Sequence, residues 1–331
     1  TAGPGHWSEE ETRKRVEGRA AAIERARNAL LASLPAHISA AVFGDYRHFP
    51  LLRASVTADE RREIEASPLV VAVHDDRQRR PLMESSLAFL GASYWHDEGW
   101  IGEGTTVAVL DSGIRYWNGF FGDCPEPGAE GCRVVAFEGF AHLEWGSGTT
   151  DPYEVAEISG HGTNVGGIVG DVAPATDLIS LNVFAYYEPD QSSGFEGDVV
   201  AHDGDVAAAM DWVIEHREAY NIVAANLSLG GEFDRSYSGY CTGVDAGAYA
   251  IVFPNSRDAG VLPVVASGNE YAKAAIAAPA CVSSAVAVGA GYADPAFGYS
   301  CGTGPIVPGA VTCYSNSSAL IDLVAPGQDI D

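Results

Sequence analysis

An aspartate and a histidine, Asp111 and His161, are the residues of this sequence with the clearest chemical potential. A carboxylate that accepts a hydrogen bond from an imidazole fixes the ring tautomer. It also stabilises the imidazolium that forms when the imidazole removes a proton from a nucleophile. Asn269 adds an amide that could donate to negative charge growing on a carbonyl oxygen. Each residue also has a structural alternative: a helix or turn cap, a buried structural histidine and a turn residue, respectively.

The segments around these residues alternate between strand-like and helical patterns. Strand-like apolar runs lie at 105–110, 178–184, 222–229, 262–266, 285–288 and 320–324, and helical patterns lie at 161–170, 205–219 and 243–260. This order predicts an α/β fold with a doubly wound parallel sheet. Ligands bind such sheets outside the carboxyl ends of the strands. Asp111 follows the first run, Asn269 follows the fourth and His161 opens the first helix, so we expect all three at one edge.

Glycines surround His161 and continue into its helix. Gly160 and Gly162 flank the imidazole and leave it open to approach by other groups. Gly166 and Gly167 are poor helix formers, so their presence predicts that this helix lies very close to the sheet.

The charged residues divide the chain into two parts. Residues 1–85 carry 13 Lys or Arg and 13 Asp or Glu, whereas residues 86–331 carry 6 and 32, so the second part holds the net charge of −26. Because nucleic acids and anionic membranes are bound chiefly through Lys and Arg, we expect neither as a partner. Solubility alone would also explain the acidic surface. No apolar run reaches about 18 residues, so we expect no membrane span.

The first part of the chain predicts a small α+β unit. A helical pattern begins near residue 9 and stops before Pro35. Strands are expected at 38–43 and 51–56, on either side of a polar turn, and one more at 69–73.

Two further signals in this part concern a helix and a linker. Thr57 followed by Glu60 has the capping-box pattern of a short helix. The charged stretch 74–81 has no hydrophobic periodicity, so it is expected to be an exposed linker of the kind that proteases cut.

All cysteines belong to the second, acidic part. Of the fifteen possible connectivities, loop proximity suggests Cys124 with Cys132 and Cys301 with Cys313, which leaves Cys241 and Cys281 as a longer-range pair. An even number of cysteines in one body indicates disulfides and export, with buried reduced thiols as the alternative. No Cys-x-x-Cys motif is present, so a zinc or redox site has little support.

Four ordered segments carry a resemblance to a known family. They are Val107-Ala108-Val109-Leu110-Asp111-Ser112-Gly113, Gly160-His161-Gly162-Thr163, Asn226-Leu227-Ser228-Leu229-Gly230-Gly231 and Ala266-Ser267-Gly268-Asn269. Their order and spacing resemble those of the subtilisin-like serine peptidases. Ala325-Pro326-Gly327 is similar to the strand and turn that precede the nucleophile in that family. The similarity runs from about Trp100 to the last residue.

The resemblance implies a role for each matched residue. Asp111 would orient His161, His161 would act as general base and then general acid, and Asn269 would donate to the oxyanion. The remaining matched residues would bind substrate: Ser228, Leu229 and Gly230 by strand pairing with an extended polypeptide, and Ala266, Ser267 and Gly268 as a wall of the first specificity pocket. No organic cofactor is implied.

The sequence departs from the family pattern at the nucleophile. The Gly-Thr-Ser motif expected after Ala325-Pro326-Gly327 appears nowhere, and Ser315, Ser317 and Ser318 lie upstream of that position. One interpretation is a fragment whose serine lies beyond Asp331. The other is a catalytically inactive, secreted peptide-binding protein that keeps the groove. On both interpretations the chain as written is expected not to hydrolyse peptides through a triad.

The resemblance also implies that the two parts of the chain are different domains with different functions. Residues 1–85 would be an inhibitory propeptide with a cleavable linker, and residues 86–331 would be a peptidase domain that is incomplete at its carboxyl end. We therefore expect a secreted zymogen that acts on polypeptides and is inhibited by its own propeptide until a cut within about 76–88. Alternatively, an external peptidase specific for basic residues could cleave at Arg79-Arg80.

The sequence also bears on two other ligand classes, a metal ion and a dinucleotide. Calcium is a candidate ion at the acidic segment 198–205 and between Cys124 and Cys132, since it takes several oxygen ligands. No EF-hand spacing is present, and solvated acidic loops are the alternative. A dinucleotide is disfavoured because the turn after Asp111 has neither the G-x-G-x-x-G nor the P-loop pattern.

Overall fold

The computed structural model of the chain describes residues 9–75, 78–81, 90–122, 124–189, 197–231, 235–292 and 306–327. Its helices are α1 Glu9–Ser33, α2 Ala36–Ala40, α3 Ala58–Glu65, α4 Ala92–Asp97, α5 Pro152–Ser159, α6 His161–Val172, α7 Asp203–Tyr220 and α8 Tyr249–Asp258. Its strands are β1 Val42–Asp45, β2 Leu52–Ala54, β3 Gln78–Pro81, β4 Thr106–Asp111, β5 Val134–Gly139, β6 Gly148–Thr149, β7 Asp177–Asn182, β8 Phe184–Tyr187, β9 Asp198–His202, β10 Ile222–Leu227, β11 Leu229–Gly230, β12 Ser236–Tyr237, β13 Leu262–Ala266, β14 Ile276–Ala277, β15 Val286–Gly291 and β16 Leu323–Pro326. None of the described helices has the length and apolar character that crossing a membrane requires.

A seven-stranded sheet forms the centre of the acidic part. Its order is β16-β15-β13-β10-β4-β7-β5, and every neighbouring pair is parallel. This arrangement, with helices on both faces, confirms the predicted α/β class. The edge strand β5 was not predicted, although Val134 and Ala136 alternate with half-buried residues in the manner of a strand with one buried face.

Both faces of β4 are buried. Successive strand residues point to opposite faces, so Leu110 joins one hydrophobic cluster with Met210 of α7 and Phe253 of α8. Val109 joins a second cluster with Val165 of α6. This two-sided burial is the reason why the central strands have continuous apolar sequences rather than alternating ones.

A second sheet lies beside the carboxyl ends of the first and has the order β11-β3-β9-β8-β6 with antiparallel pairs. The first strand of this sheet in chain order, β3, contradicts the sequence-based expectation. Residues 78–81, expected to be part of an exposed linker, form β3 instead, with Arg79 opposite Ala201 and Arg80 opposite Gly230. Main-chain hydrogen bonding to two strand edges holds this segment, and such pairing needs no apolar periodicity in the sequence.

The amino-terminal residues form helices around a short antiparallel hairpin of β1 and β2. The predicted capping box is confirmed, because the Thr57 and Glu60 side chains each accept a hydrogen bond from the other residue's main-chain N–H. The predicted strand at 38–43 is wrong at its start, since Ile38 is buried in α2. Pro35 allows this: its fixed φ suits a helix start and it needs no N–H partner there.

The strand predicted at 69–73 is also absent from the described residues. Val71 is fully exposed and Leu69 is half exposed. An apolar run without a neighbouring strand edge has nothing to pair with, so these residues form turns and bends.

Loop 46–49 docks the amino-terminal part on α7. The main-chain N–H groups of Arg47 and His48 donate to the Asp211 carboxylate at 2.9 and 2.7 Å. The Tyr46 hydroxyl donates to the Gly204 carbonyl at 3.0 Å. Burial raises the pKa of Asp211 to about 6, and burial lowers the pKa of His48 to about 4. Both shifts reflect how completely this contact excludes water.

A buried ion pair joins the same two parts. Arg53 of β2 donates to the Asp205 carboxylate at 2.5 Å, with side chains that are only 11% and 1% exposed. His142 lies against both groups: its Nδ1 is 2.9 Å from the Asp205 carboxylate and 2.6 Å from the Arg53 guanidinium. The pair therefore places opposite charges face to face away from water.

The expected disulfide bonding is present in the described part of the chain. Cys124 is bonded to Cys132, and Cys241 is bonded to Cys281. Cys313 is also disulfide-bonded. Cys301 lies outside the described residues, so the predicted third pair stays a prediction.

Replacement of Arg53 tests the buried ion pair. Arg53→Ala is expected to lower the free energy of unfolding by about 3–5 kcal/mol, because the Asp205 carboxylate would stay buried without its cation. The matched control is Arg47→Ala, whose ion pair with Glu215 is exposed and should contribute less than about 1 kcal/mol. Urea denaturation of the 331-residue chain gives both values. Equal losses in the two variants would contradict this account.

Candidate active site

Asp111 is the last residue of β4, and its side chain is completely buried. Its Oδ1 accepts a hydrogen bond from His161 Nδ1 at 2.7 Å and another from the Ser112 main-chain N–H at 2.7 Å. Since an ionised carboxylate only accepts, the proton of this bond belongs to Nδ1. Oδ2 has no hydrogen-bond partner among the described residues. The aspartate therefore presents a poorly solvated negative charge to the imidazole.

His161 is the first residue of α6, and it too is buried. The preceding Gly160 has φ of 65°, and it both ends α5 and begins α6. A left-handed conformation at this point favours glycine. Helix α5 was not predicted, although Asp151 followed by Pro152 is a recognisable helix start: the Asp151 side chain accepts from the N–H groups of Tyr153 and Glu154.

The turn after Asp111 fastens the helix that carries His161. Gly162 N–H donates to Ser112 Oγ at 3.0 Å, and the Arg115 N–H donates to Thr163 Oγ1 at 3.0 Å. A Cβ on Gly162 would lie 2.6 Å from the Gly113 carbonyl oxygen. Only glycine lets the two backbones approach this closely, and the short distance to Asp111 depends on that approach.

The prediction for the later glycines of α6 is right for one residue and wrong for the other. A Cβ on Gly166 would lie 2.8 Å from Ile114 Cδ1, so this residue does permit close packing. A Cβ on Gly167 would meet nothing within 4 Å. Gly167 lies on the side of α6 that faces away from the turn after β4, so close packing does not explain a glycine at this position.

Asn269 lies in the loop after β13, where it is half-buried. The strands β4, β10 and β13 are neighbours, with Val109 opposite Asn226 and Asn226 opposite Val264. Their carboxyl ends therefore reach the same edge of the sheet. The topology thus brings Asn269 to the edge that holds the hydrogen-bonded pair Asp111 and His161.

The predicted substrate-binding segments flank the same edge. Ser228 follows β10 and accepts a hydrogen bond from the Asn226 amide at 2.9 Å. Leu229 and Gly230 form β11, which pairs with β3. Ala266 ends β13, and Ser267 and Gly268 continue it as buried residues next to Asn269.

The serines upstream of Ala325 have structural contacts in the described part of the chain. Ser315 is buried, and its Oγ accepts from the Ala290 N–H at 2.9 Å and donates to the Asn316 carbonyl at 3.0 Å. Its hydroxyl thus connects β15 to the segment before β16. This position agrees with the sequence argument that Ser315 is not the nucleophile.

Two functional candidates were missed in the sequence because their partners are far away along the chain. Asn316 is completely buried and bonds to the loop that carries Asn269. Lys273 donates to the carbonyl oxygens of Thr312 and Ser315 at 2.8 and 2.6 Å, and burial lowers its pKa. An asparagine or a lysine in a loop carries no local signal of such a role.

The acidic segment 198–205, one of the two candidate calcium sites, has other contacts. Within the described residues no group of three or more His, Cys, Asp or Glu is placed to hold a metal ion. Asp205 is engaged by Arg53 and His142. A carboxylate in a buried ion pair already has its compensating charge, so it has little reason to take a second cation.

Comparison with protein families decides the wider identity. The model of the subtilase family matches residues 102–330, which is most of the chain. The chain belongs to the subtilase family. The match contains every residue of the site described above, including the buried pair of Asp111 and His161.

Individual proteins that match the chain share less than a third of their residues with it over the aligned region. A cuticle-degrading serine protease of Arthrobotrys oligospora is 28% identical over 239 residues, which cover 71% of this chain and 46% of that protein. Alkaline protease 1 of Aspergillus clavatus is 30% identical over 239 residues, which cover 69% of this chain and 44% of that protein. The chain thus spans less than half the length of these two subtilases.

Solved structures show similarity as well. The crystal structure of a cold-adapted subtilisin-like serine proteinase is 24% identical, with a TM-score of 0.41, over 69% of this chain and 64% of that chain. A lanthipeptide protease is 17% identical, with a TM-score of 0.47, over 74% of this chain and 62% of that chain.

Two glycines of α6 provide a matched test of how this subtilase holds its histidine. Gly162→Ala is expected to lower the free energy of unfolding by about 1–3 kcal/mol, because the new Cβ meets main-chain oxygen that cannot move alone. Gly167→Ala is expected to raise it by about 0.5–1 kcal/mol, since alanine restricts the unfolded chain and meets nothing in the helix. Urea denaturation measures both. A neutral Gly162→Ala would show that the two backbones can separate without cost.

Proposed function

We propose that this chain is part of a secreted serine endopeptidase, made as a zymogen, that hydrolyses polypeptides through an Asp-His-Ser triad. The single observation that supports this most directly is the buried 2.7 Å hydrogen bond between the Asp111 carboxylate and His161 Nδ1. It joins an acid–base pair at the carboxyl edge of a subtilase sheet, where ligands of such sheets bind. The disulfides Cys124–Cys132 and Cys241–Cys281 support export to an oxidising compartment.

His161 acts as the general base in the proposed reaction. Because its Nδ1 holds a proton for the carboxylate, the neutral ring accepts a further proton at Nε2. Nε2 takes the proton of the serine hydroxyl while the serine oxygen bonds to the scissile carbonyl carbon. The imidazolium then passes that proton to the leaving nitrogen and the C–N bond breaks. A water molecule, deprotonated by the same nitrogen, hydrolyses the acyl-enzyme and restores the serine.

Asp111 and Asn269 stabilise the charges that this reaction creates. The Asp111 carboxylate sits against the imidazole, so it favours the imidazolium in both steps. The amide of Asn269 is assigned to the carbonyl oxygen, which carries the negative charge of the tetrahedral intermediate. Loss of such a donor costs roughly 10²–10³ in rate in comparable sites.

Polypeptide substrates are supported by the strand pairing of β3. This segment of the chain lies between β9 and β11 and is held by main-chain hydrogen bonds. An extended substrate would pair with the same main-chain groups of Leu229 and Gly230, and with those of the preceding Ser228, once β3 has left this strand edge. The segment Ala266-Ser267-Gly268 is assigned to a wall of the first specificity pocket.

The nucleophile is proposed to come from sequence outside these 331 residues. The argument is the absence of a Gly-Thr-Ser motif from the whole chain. The competing proposal is a catalytically inactive subtilase that binds peptides in the same groove. The two differ in whether the complete protein forms a covalent bond with a serine-directed reagent.

A fluorophosphonate probe tests the proposed function. The 331-residue chain is expected to remain unlabelled and to leave peptide amides intact, whereas the form whose coding sequence continues to a Gly-Thr-Ser motif should be labelled and active. In that form Asp111→Asn is expected to lower kcat by roughly 10⁴, since the wrong imidazole tautomer would be stabilised. Asp97→Asn, an exposed carboxylate in α4, should leave kcat unchanged.

Two results would overturn parts of this proposal. Labelling of the 331-residue chain would show that a nucleophile is already present. A complete coding sequence without Gly-Thr-Ser, together with peptide binding and no labelling, would replace the peptidase by the peptide-binding alternative.

The zymogen proposal assigns residues 1–85 to an inhibitory propeptide. Its support is the position of β3 in the sheet beside the active-site edge, together with the docking of Arg53 and loop 46–49. β3 runs antiparallel to β11, so the chain moves from Gly230 toward Ser228 and the catalytic edge as residue number increases. The bond to be cut therefore lies beyond Pro81.

Sequencing of the matured amino terminus tests this direction. We expect it within residues 82–88, because the paired segment 78–81 must stop short of the reacting bond. N-terminal sequencing of the secreted, active protein gives the answer directly. A terminus at or before residue 81, above all one directly after Arg79 or Arg80, would indicate an external basic-specific peptidase and would remove the support for cleavage in the protein's own site.

A further inference from the structure

The loop after β13 carries Asn269 in an unusual main-chain conformation. Gly268, on one side of it, has φ of 107°, and Tyr271, two residues beyond it, has φ of 62°. The first value favours glycine, and the second is uncommon for a residue with a large side chain. Such a conformation persists only when surrounding contacts impose it. Several of the contacts that impose it here come from one buried side chain.

That side chain is Asn316, which is completely buried. Its Oδ1 accepts from the N–H groups of Glu270 and Ala272 at 3.1 and 2.9 Å. Its Nδ2 donates to the Ser267 carbonyl at 3.2 Å and to the Glu270 carboxylate. An asparagine amide has two acceptor positions and two donor hydrogens. All four are used, and all four partners lie within residues 267–272.

The main chain of the same residue adds further bonds to this loop. Asn316 N–H donates to the Gly268 carbonyl at 2.8 Å, and the Asn316 carbonyl accepts from Ser267 Oγ at 2.9 Å. A Cβ on Gly268 would lie 2.3 Å from Asn316 Nδ2. Asn316 therefore packs so closely against residue 268 that only glycine fits there.

Other contacts hold the segment that carries Asn316 in place. The Lys273 ammonium donates to the carbonyls of Thr312 and Ser315 at 2.8 and 2.6 Å, and the Tyr271 N–H donates to the Tyr314 carbonyl at 2.9 Å. These bonds run from the far end of the loop back to residues 312–315. The main chain is thus held by hydrogen bonds on both sides of Asn269, and the Asn269 amide lies at the sheet edge.

We propose that Asn316 is a positioning residue for the Asn269 amide, and that it acts on catalysis only through that amide. This inference rests on the proposed function, in which Asn269 stabilises the oxyanion. A donor is effective only if it already points at the place where the charge will develop, and small displacements of such a group are costly. Asn316 supplies that fixed direction through its bonds on both sides of residue 269.

A double-mutant cycle in the complete, serine-containing enzyme tests the proposal. Asn269→Ala is expected to lower kcat roughly 10²–10³-fold, and Asn316→Ala to lower it at least about 10-fold with KM changed by less than about 3-fold. The variant with both changes should be as active as Asn269→Ala within about 3-fold, because the positioning residue has nothing left to position.

The outcomes separate this inference from the proposed function. No effect of Asn269→Ala on kcat would overturn the oxyanion assignment, and the inference with it. A large effect of Asn269→Ala with none of Asn316→Ala would overturn the inference alone. Losses that multiply in the double variant would also overturn it, since they would mean that the two residues act independently.

A second pair of variants covers the case in which Asn316→Ala does not fold. Asn316→Asp keeps the acceptor for the N–H groups of Glu270 and Ala272 but faces the Glu270 carboxylate with a second one. Its kcat relative to wild type should rise as the pH falls, because a shared proton restores the donor between the two carboxyl groups. Adding Glu270→Gln should recover at least about 10-fold of kcat at neutral pH by providing a donor from the other side.

A control elsewhere in the hydrophobic core tests for an effect of destabilisation alone. Val252→Ala truncates a completely buried residue of α8 and should lower the thermal midpoint while leaving kcat at the assay temperature unchanged. If Val252→Ala lowers kcat as much as Asn316→Ala at the same loss of stability, the effect of Asn316 is structural only. If the Asn316→Asp ratio does not depend on pH, the bonding role of its amide is refuted.

Discussion

A carboxylate removed from water at the end of a strand must be compensated by hydrogen bonds or by a cation, because an isolated buried charge costs several kcal/mol. For Asp111 the compensation is the imidazole of His161 and the N–H of Ser112. The imidazole reaches it only because Gly162 lets the start of α6 approach the turn at Gly113. The sheet, the turn and the helix therefore share one requirement, which is to bring this pair together out of contact with solvent.

The amino-terminal part binds the acidic part by two different physical means. β3 pairs through its main chain, which fits many sequences. Arg53 and Asp205 instead form a buried pair that only a guanidinium of the right reach can complete. Main-chain pairing alone would not distinguish this segment from any extended peptide. Under the proposed function, the ion pair and the docking on Asp211 give the chain's own segment its advantage over a substrate at the same strand edges.

The loop that presents Asn269 shows how a polar interior can determine one conformation. The loop provides every hydrogen-bond partner of the Asn316 side chain. These bonds hold the loop in a conformation with positive φ at Gly268 and Tyr271. A polar network in which every member is paired is rigid, whereas one missing partner leaves a buried group unsatisfied at a cost of about 1–3 kcal/mol. Directional bonds of this kind orient a donor better than apolar packing does.

The amino-acid sequence by itself determined the α/β class, the order of the predicted central strands along the chain, the capping box at Thr57 and the meeting of Asp111 with His161. These follow from local periodicity and from motifs whose residues are close in sequence. Only the tertiary structure decided that residues 78–81 form a strand, that residues 69–73 do not, that Arg53 meets Asp205 and that Asn316 holds the Asn269 loop. Each of these depends on a partner far along the chain, and a residue's own neighbours carry no trace of a partner that folding alone brings near.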